Sequence, residues 1–333
     1  MKQLYTIQLN GIIYTSENLD KLFVADEPRD SWKNAIYLFL RNWFDDSDFI
    51  SAQMTNQFFG LDADKTALLC LPASYIAGKM MLVRALVGGF NLITVEPKAN
   101  PFENLKTEID FTAITPYQLF HSIESLKTKT VRKIIVGGSP VTHKLEELSE
   151  AISSELYETY GMTETCSHIA LRCFNGFGKS DCFTILDGNS IRLDERSCLL
   201  INAPHLLENE IQTNDIVELI DSKSFRWLGR ADSVINSGSV KIHPEQVEKK
   251  LEGIISSNFF ISSLPDDLLV NKVVLVIESE QYTVEKEADL KQTFNILLSK
   301  FEIPKEIYYL PTFVYSSSNK ALRKETLSSI TSR

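Results

Sequence analysis

A chain of 333 residues with 44% hydrophobic and 23% charged residues has the composition of a globular protein and is long enough for two domains. Its formal net charge of −10 leaves no excess of Lys and Arg to neutralise a phosphate backbone. That excludes a general nucleic-acid binder but not a local pocket for one anionic nucleotide.

The opening MKQLYTIQLNGIIYT alternates apolar and polar residues and lacks the continuous apolar run of a signal peptide. SWKNAIYLFLRNWF (31–44) has helical spacing of Trp32, Ile36, Leu38, Phe39 and Trp43. MTNQFFGL leads to TALLCLP (66–72), an apolar strand stopped by proline, and YIAGKMMLVRALVGG (75–89) reads as a helix ending at glycines. The whole stretch TALLCLPASYIAGKMMLVRALVGGF is no membrane span, because Pro72, Lys79 and Arg84 break it short of the ~18 apolar residues required. FNLITVEP is a strand, and FTAITPYQLFHSIES a strand, a turn and a helix with Pro116 in its first turn. VRKIIVGG, HKLEELSEAI and SELYETYG continue as strand, helix, strand.

This alternation predicts a largely parallel sheet covered by helices. From about 182 to 228 the pattern changes to short strands, which suggests a small antiparallel subdomain. A boundary falls at GRADS (229–233), and a compact α+β pattern follows it. The expected architecture is therefore α/β: a large N-terminal domain over 1–228, then a small α+β domain over 229–333. The five cysteines (Cys70, Cys166, Cys173, Cys182, Cys198) are odd in number and lack CxxC spacing. They read as reduced thiols of a cytoplasmic protein, with Cys166 a packing residue.

In parallel sheets ligands bind beyond the carboxyl ends of the strands, and two glycine-punctuated segments end strands here. Gly137 and Gly138, lacking Cβ atoms, let a flat ligand approach the backbone. In YGMTETCSH, Tyr160 offers a face to a purine, Gly161 permits the turn beyond it, and Thr163 can donate to a phosphate oxygen. Glu164 is a hard oxygen ligand suited to Mg²⁺ carrying phosphates. Taken singly these are a glycine turn, a core tyrosine, a capping threonine and a solvated glutamate; their coincidence at two strand ends favours a nucleotide. Asp215, in TNDIVEL, can accept both ribose hydroxyls, Arg230 sits at the boundary near Asp232, and Lys320 lies in the polar loop SSSNKALRKE.

Together these segments resemble the adenylate-forming superfamily of acyl-CoA ligases, luciferases and peptide-synthetase adenylation domains. The family's tyrosine-glycine-x-threonine-glutamate pattern matches Tyr160, Gly161, Thr163 and Glu164, and its ribose-binding aspartate matches Asp215. Its hinge segment matches Gly229, Arg230 and Asp232, and its late catalytic lysine matches Lys320. LLCLPASYIAGKMMLVRAL, MTETCSHIALR and RWLGRADSVINSGSVKI further resemble bacterial o-succinylbenzoate–CoA ligases of menaquinone biosynthesis.

The resemblance implies ATP, Mg²⁺ and CoA as reactants and cofactor, and o-succinylbenzoate as the carboxylate. A mobile C-terminal domain would pivot at Asp232, with the CoA arm passing Gly238 and Ser239, where the family usually has glycine. The alternatives are an enzyme loading a carrier protein and a relative that only binds an adenylate. One departure stands out. The family's early phosphate loop, rich in Ser, Thr and Gly, has no counterpart in DDSDFISAQMTNQFFGL. DFIS stands where a preceding strand should end and SAQMTNQFFG resembles the helix after the loop, which reads as a segment left out rather than lost. Replacing Lys320 by alanine should lower the rate of adenylation far more than nucleotide affinity. Parallel losses in turnover and AMP binding would contradict that role.

Overall fold

The structure is a computed structural model describing residues 6–28, 31–42, 46–206, 208–237, 240–266, 269–315 and 321–331. It opens with a hairpin of β1 (Thr6–Leu9) and β2 (Ile12–Thr15), turned by Asn10 and Gly11, both at positive φ (51° and 79°) as a two-residue primed turn requires. Then come α1 (Trp32–Asn42), α2 (Asp46–Phe59), β3 (Thr66–Leu69), α3 (Ile76–Gly88), β4 (Asn91–Thr94), β5 (Ile109–Ile114), α4 (Pro116–Leu126), β6 (Val131–Val136), α5 (His143–Ser149) and β7 (Glu155–Gly161). The strands β7-β6-β5-β3-β4-β1 lie side by side and parallel.

Alternation along β3 divides the core. Ala67 and Leu69 face α1 and α3 with Ile36, Leu40 and Met81, whereas Leu68 and Cys70 face α4 with Leu119 and Ile123. Helix α3 is apolar nearly all round and is wrapped by the sheet, α1 and α2. Its end is set by Gly89 in the left-handed region (φ 71°), whose N–H bonds the Ala85 carbonyl. Helix α4 begins with a capping box between Thr115 and Gln118 and has Pro116 in its first turn, as the sequence predicts.

Beyond β7 the sheet turns antiparallel through β8 (His168–Cys173), β9 (Phe183–Ile185), β10 (Ser190–Leu193), β11 (Cys198–Asn202), β12 (Ile211–Leu219) and β13 (Ser224–Arg230). These strands have a core of their own around Phe183, Leu199 and Phe225. They do not form a separate sheet, however, but extend the same 13-stranded one. A 3-10 turn at Ala231–Ser233 leads to the hairpin β14 (Ile235–Ser237) and β15 (Val240–Ile242). Next follow α6 (Pro244–Leu251), β16 (Phe259–Asp266), β17 (Val270–Glu278), α7 (Val284–Leu297), β18 (Glu306–Leu310) and α8 (Arg323–Thr331). The sheet β16-β17-β18 packs α6 and α7 on one face and α8 on the other.

DFIS does not end a strand. It lies inside α2, which runs unbroken from Asp46 to Phe59. The buried residues of α2 are Ser51, Ala52, Thr55, Asn56 and Phe59, a helical stripe built mostly from small and polar side chains. Hydrophobic periodicity cannot register such a stripe. Only residues 43–45 separate α1 from α2. Among the described residues no helix is long and apolar enough to cross a membrane.

Gly78 lets the first turn of α3 rest on the chain leaving β3: a Cβ there would lie 2.2 Å from the Pro72 carbonyl oxygen and 2.9 Å from that of Leu71. Alanine is the better helix former by about 1 kcal/mol, but overpacking costs about 1–3 kcal/mol. Gly78→Ala should therefore lower the urea midpoint, and an unchanged or raised midpoint would show that this approach does not constrain the fold.

Candidate active site

A cavity of about 2220 Å³ opens beyond the carboxyl ends of β6 and β7, where the sheet switches from parallel to antiparallel. Gly137 follows β6 directly, and a Cβ there would lie 2.3 Å from Thr159 Oγ1 on β7. Gly138 has φ 95° and nothing within 4 Å of the place of a Cβ, so the backbone presents a bare surface to the cavity. After Tyr160 the chain reverses through a 3-10 turn, Thr163–Thr165, and Cys166 in the left-handed region (φ 62°) to enter β8. Thr165, fully buried, ties the turn: its Oγ1 accepts from Met162 N–H, and its one proton lies between the carbonyls of Ser167 (2.6 Å) and Met162 (2.9 Å). Glu164 is exposed on this turn and lines the cavity. Cys166 is partly buried and donates to Asp48.

Asp215 is the hub of the antiparallel side. Its Oδ2 accepts from Tyr160 O–H at 2.7 Å, its Oδ1 accepts from Trp227 Nε1–H at 3.2 Å, and Arg230 Nη1 lies 3.8 Å from Oδ1. Burial, reinforced by the Asp215 charge, raises the pKa of the Tyr160 hydroxyl. The Tyr160 ring packs against Phe225 and Phe183 while also lining the cavity. A bulge places both Trp227 and Arg230 beside Asp215: Asp215 pairs with Arg230 and Val217 with Trp227, so β13 carries one residue more than β12. Arg230 also makes a forked bond to Asp232 (2.9 and 3.1 Å), which raises its pKa and lowers that of Asp232.

Helix α6 borders the same cavity. Gln246 Nε2–H donates to the carbonyl of Leu228 in the bulge (3.0 Å), and His143 N–H donates to Glu252 (2.5 Å). Gly229 has φ 143°, and a Cβ there would come within 2.6 Å of Glu245 Oε2. Opposite α6, Arg172 is buried between Glu158 and Glu146, with contacts of 2.6 Å to each, and Glu158 in turn accepts from Val141 N–H. That network fixes the loop after Gly138.

One cluster went unread in the sequence. Arg84 on α3 is 2% exposed yet lines the cavity, and among the described residues it makes no ion pair with a carboxylate. Nη2 donates to Ser167 Oγ (3.2 Å), Nη1 touches Met81 Sδ (3.6 Å), and Nε–H has no partner. Burial lowers its pKa to about 10, so it stays a cation at neutral pH. His168, 7% exposed, lies next to Ser167 and has its pKa held well below the usual value, first by burial and then by the Arg84 charge. The signal was an arginine inside the apolar run MMLVRALV.

The structure thus brings Gly137, Gly138, Tyr160, Gly161, Glu164, Asp215 and Arg230 around one cavity. Asp232 lies at its edge through Arg230. Gly238, Ser239 and Lys320 lie outside the described residues, as does the side chain of Thr163. Among the described residues no group of three or more His, Cys, Asp or Glu could hold a metal. A single carboxylate, Glu164, suits a hard cation that keeps waters and takes its other ligands from phosphates, the usual habit of Mg²⁺.

A family model described as AMP-binding enzyme matches residues 45–190. The crystal structure of an acyl-CoA synthetase (AMP-forming)/AMP-acid ligase II-like protein from Dyadobacter fermentans is 30% identical, with a TM-score of 0.60, over 98% of this chain and 100% of that one. The chain belongs to the AMP-binding, adenylate-forming family. Within that family, the 2-succinylbenzoate–CoA ligase of Staphylococcus epidermidis is 26% identical over 310 residues, 84% of this chain. The chain spans 64% of that relative's length. O-succinylbenzoate CoA synthetase (MenE) of Bacillus subtilis, solved with ATP and magnesium, shares the fold at a TM-score of 0.70 and 20% identity, over 84% of this chain and 65% of its own. The Dyadobacter protein, matched along its whole length, has the same compact build within this AMP-binding family.

Asp215→Ala strands two donors, Tyr160 O–H and Trp227 Nε1–H, and should cost about 1–3 kcal/mol in chemical denaturation. Tyr160→Phe removes one bond to the charged carboxylate and leaves Asp215 with Trp227, so it should cost less than Asp215→Ala, about 1.5 kcal/mol. A larger loss from Tyr160→Phe would remove Asp215 from the centre of the cluster.

Proposed function

We propose that the chain is an AMP-forming acid–thiol ligase acting on a dicarboxylate of the o-succinylbenzoate class. The observation that carries this reading is Arg84: a buried cation without a counter-ion among the described residues, opening on the same cavity as Tyr160, Glu164 and Asp215. A buried charge left unpaired is costly, and an anionic ligand group would supply its partner. o-Succinylbenzoate has two carboxylates, so one can meet Arg84 while the other reacts. The names of the curated relatives agree with this substrate class.

In the reaction, one carboxylate attacks the α-phosphate of ATP and releases pyrophosphate; the CoA thiol then attacks the acyl-adenylate and AMP leaves. The chain's contribution is position and charge. Gly137 and Gly138 would offer the bare surface for adenine, Tyr160 a ring beside it, and Asp215 with Arg230 the ribose contacts. Thr163 and Lys320 would neutralise phosphate charge, and Mg²⁺ held by Glu164 would screen it further. We place the domain division at 229–233 and the pivot between half-reactions at Asp232, with Gly238 and Ser239 on the path of the CoA arm.

A second reading is an adenylate-binding protein without ATP chemistry. The observation that favours it is α2, which follows α1 after residues 43–45 and runs unbroken where a phosphate loop would be sought. Pyrophosphate exchange with o-succinylbenzoate separates the two. The ligase reading expects exchange that depends on the acid, with the KM for the acid rising at least about tenfold in Arg84→Met, the scale of a lost charged hydrogen bond. AMP binding without any exchange would leave the second reading standing and refute the first.

A further inference from the structure

The cluster around Arg84 has a direction that the positions of its hydrogen-bonding atoms determine. Thr55 on α2 is fully buried, and its Oγ1 lies 3.1 Å from the Ser51 carbonyl and 3.3 Å from His168 Nε2. A hydroxyl has one proton, and the carbonyl can only accept. Thr55 therefore donates to Ser51 and accepts from His168, which puts the imidazole proton on Nε2. In a neutral ring Nδ1 is then a bare acceptor. It lies 3.4 Å from Ser167 Oγ, which turns its proton toward the ring. Ser167 is left with lone pairs, and one receives Arg84 Nη2–H at 3.2 Å.

The reverse assignment fails. With the proton on Nδ1, Ser167 Oγ would accept from both His168 and Arg84. Its own proton would then have no acceptor among the described residues, and the Ser51 carbonyl would lose its bond from Thr55. A protonated ring keeps the Thr55 bond but leaves the Ser167 proton equally unplaced, and it sets a second cation beside Arg84. Burial and the Arg84 charge both hold His168 neutral. Every link thus runs one way, from Arg84 through Ser167 to His168 and from His168 through Thr55 to the backbone of α2.

We propose that His168, acting through Ser167, is the positioning residue that orients Arg84 toward the second carboxylate of the acyl substrate. This rests on the dicarboxylate reading above. Among the described residues Arg84 has no carboxylate to fix it, and its guanidinium donates to Ser167 Oγ and the Met81 sulfur alone. While the Ser167 proton is committed to His168, the serine holds one edge of the guanidinium and leaves Nε–H and its other protons for the ligand. Without the imidazole acceptor the serine proton is free to turn toward Arg84, where it repels the guanidinium it had anchored. The turn makes this anchoring rigid, since Cys166 in the left-handed region and Gly161 against the Ser167 carbonyl fix where Ser167 and His168 stand.

The test is calorimetric titration of the full chain, with AMP present, using o-succinylbenzoate and 4-oxo-4-phenylbutanoate, which lacks the ring carboxylate. Ser167→Ala and His168→Leu should each weaken o-succinylbenzoate by about tenfold, the scale of one hydrogen bond to a charged group. The monocarboxylate and AMP should change less than about twofold. His168→Asn, whose carbonyl oxygen can stand in for Nδ1 as the acceptor for Ser167, should recover most of the affinity. Ser167→Ala removes only one partly buried oxygen, so it keeps the test valid where His168→Leu does not fold. Equal weakening of both acids, or of AMP, would mean a merely structural role and overturn the proposal. Weakening of the dicarboxylate by Arg84→Met alone, with Ser167→Ala and His168→Leu silent, overturns the relay and leaves the acyl reading intact. Silence of Arg84→Met as well overturns that reading and the relay with it.

Discussion

Gly161 lies so close to the returning chain that a Cβ would stand 2.4 Å from the Ser167 carbonyl oxygen and 2.6 Å from His168 Cα. The site depends on this contact. It allows β7, the last parallel strand, to fold directly onto β8, and the ladder takes up the strain as an irregularity between Tyr160 and Gly161. A side chain at this position would push the strands apart. Tyr160 would then no longer reach Asp215, and Ser167 would no longer reach Arg84. The Asp215 cluster and the Arg84 cluster, which line the same cavity, are held in mutual register by a single missing methyl group.

The fold was legible in the sequence wherever apolar residues carried the period. The strands 66–69, 109–114 and 131–136 and the helices over 76–88 and 116–126 follow from alternation, helical spacing and their stop signals. Helix α2 was the partial exception: the family resemblance, not periodicity, marks SAQMTNQFFG as helix, and DFIS reads as a strand end. Its inward face is Ser51, Ala52, Thr55, Asn56 and Phe59, because it packs on α3 partly through hydrogen bonds, such as Asn56 to the Arg84 carbonyl. A polar inward stripe looks like a loop to any method that counts hydrophobes.

The cavity residues that the sequence grouped as a nucleotide site were legible for a different reason. Gly137, Gly138, Tyr160 and Glu164 sit at or just beyond the ends of β6 and β7, where topology gathers them whatever their separation in the chain. Asp215, in the middle of β12, was legible only through the family resemblance. Arg84 and His168 were not, because Arg84 lies inside α3, His168 opens β8, and each stands out only against neighbours from other elements. Thr55, His168, Ser167 and Arg84 come from three separate segments, and nothing in their spacing links them. The cost of burying an unpaired guanidinium made the arginine conspicuous once its surroundings were known.

The bulge in β13 reaches further than the Asp215 cluster. Because Leu228 is the extra residue, its carbonyl is free of the β12 ladder, and Gln246 of α6 occupies it. Among the described residues, a second polar link from the end of α6 to the side of the large sheet is the Glu252 carboxylate on His143 N–H. Neither the Leu228 carbonyl nor the His143 N–H, at the start of α5, belongs to a strand ladder. Both links can therefore part without any bond of the large sheet being broken.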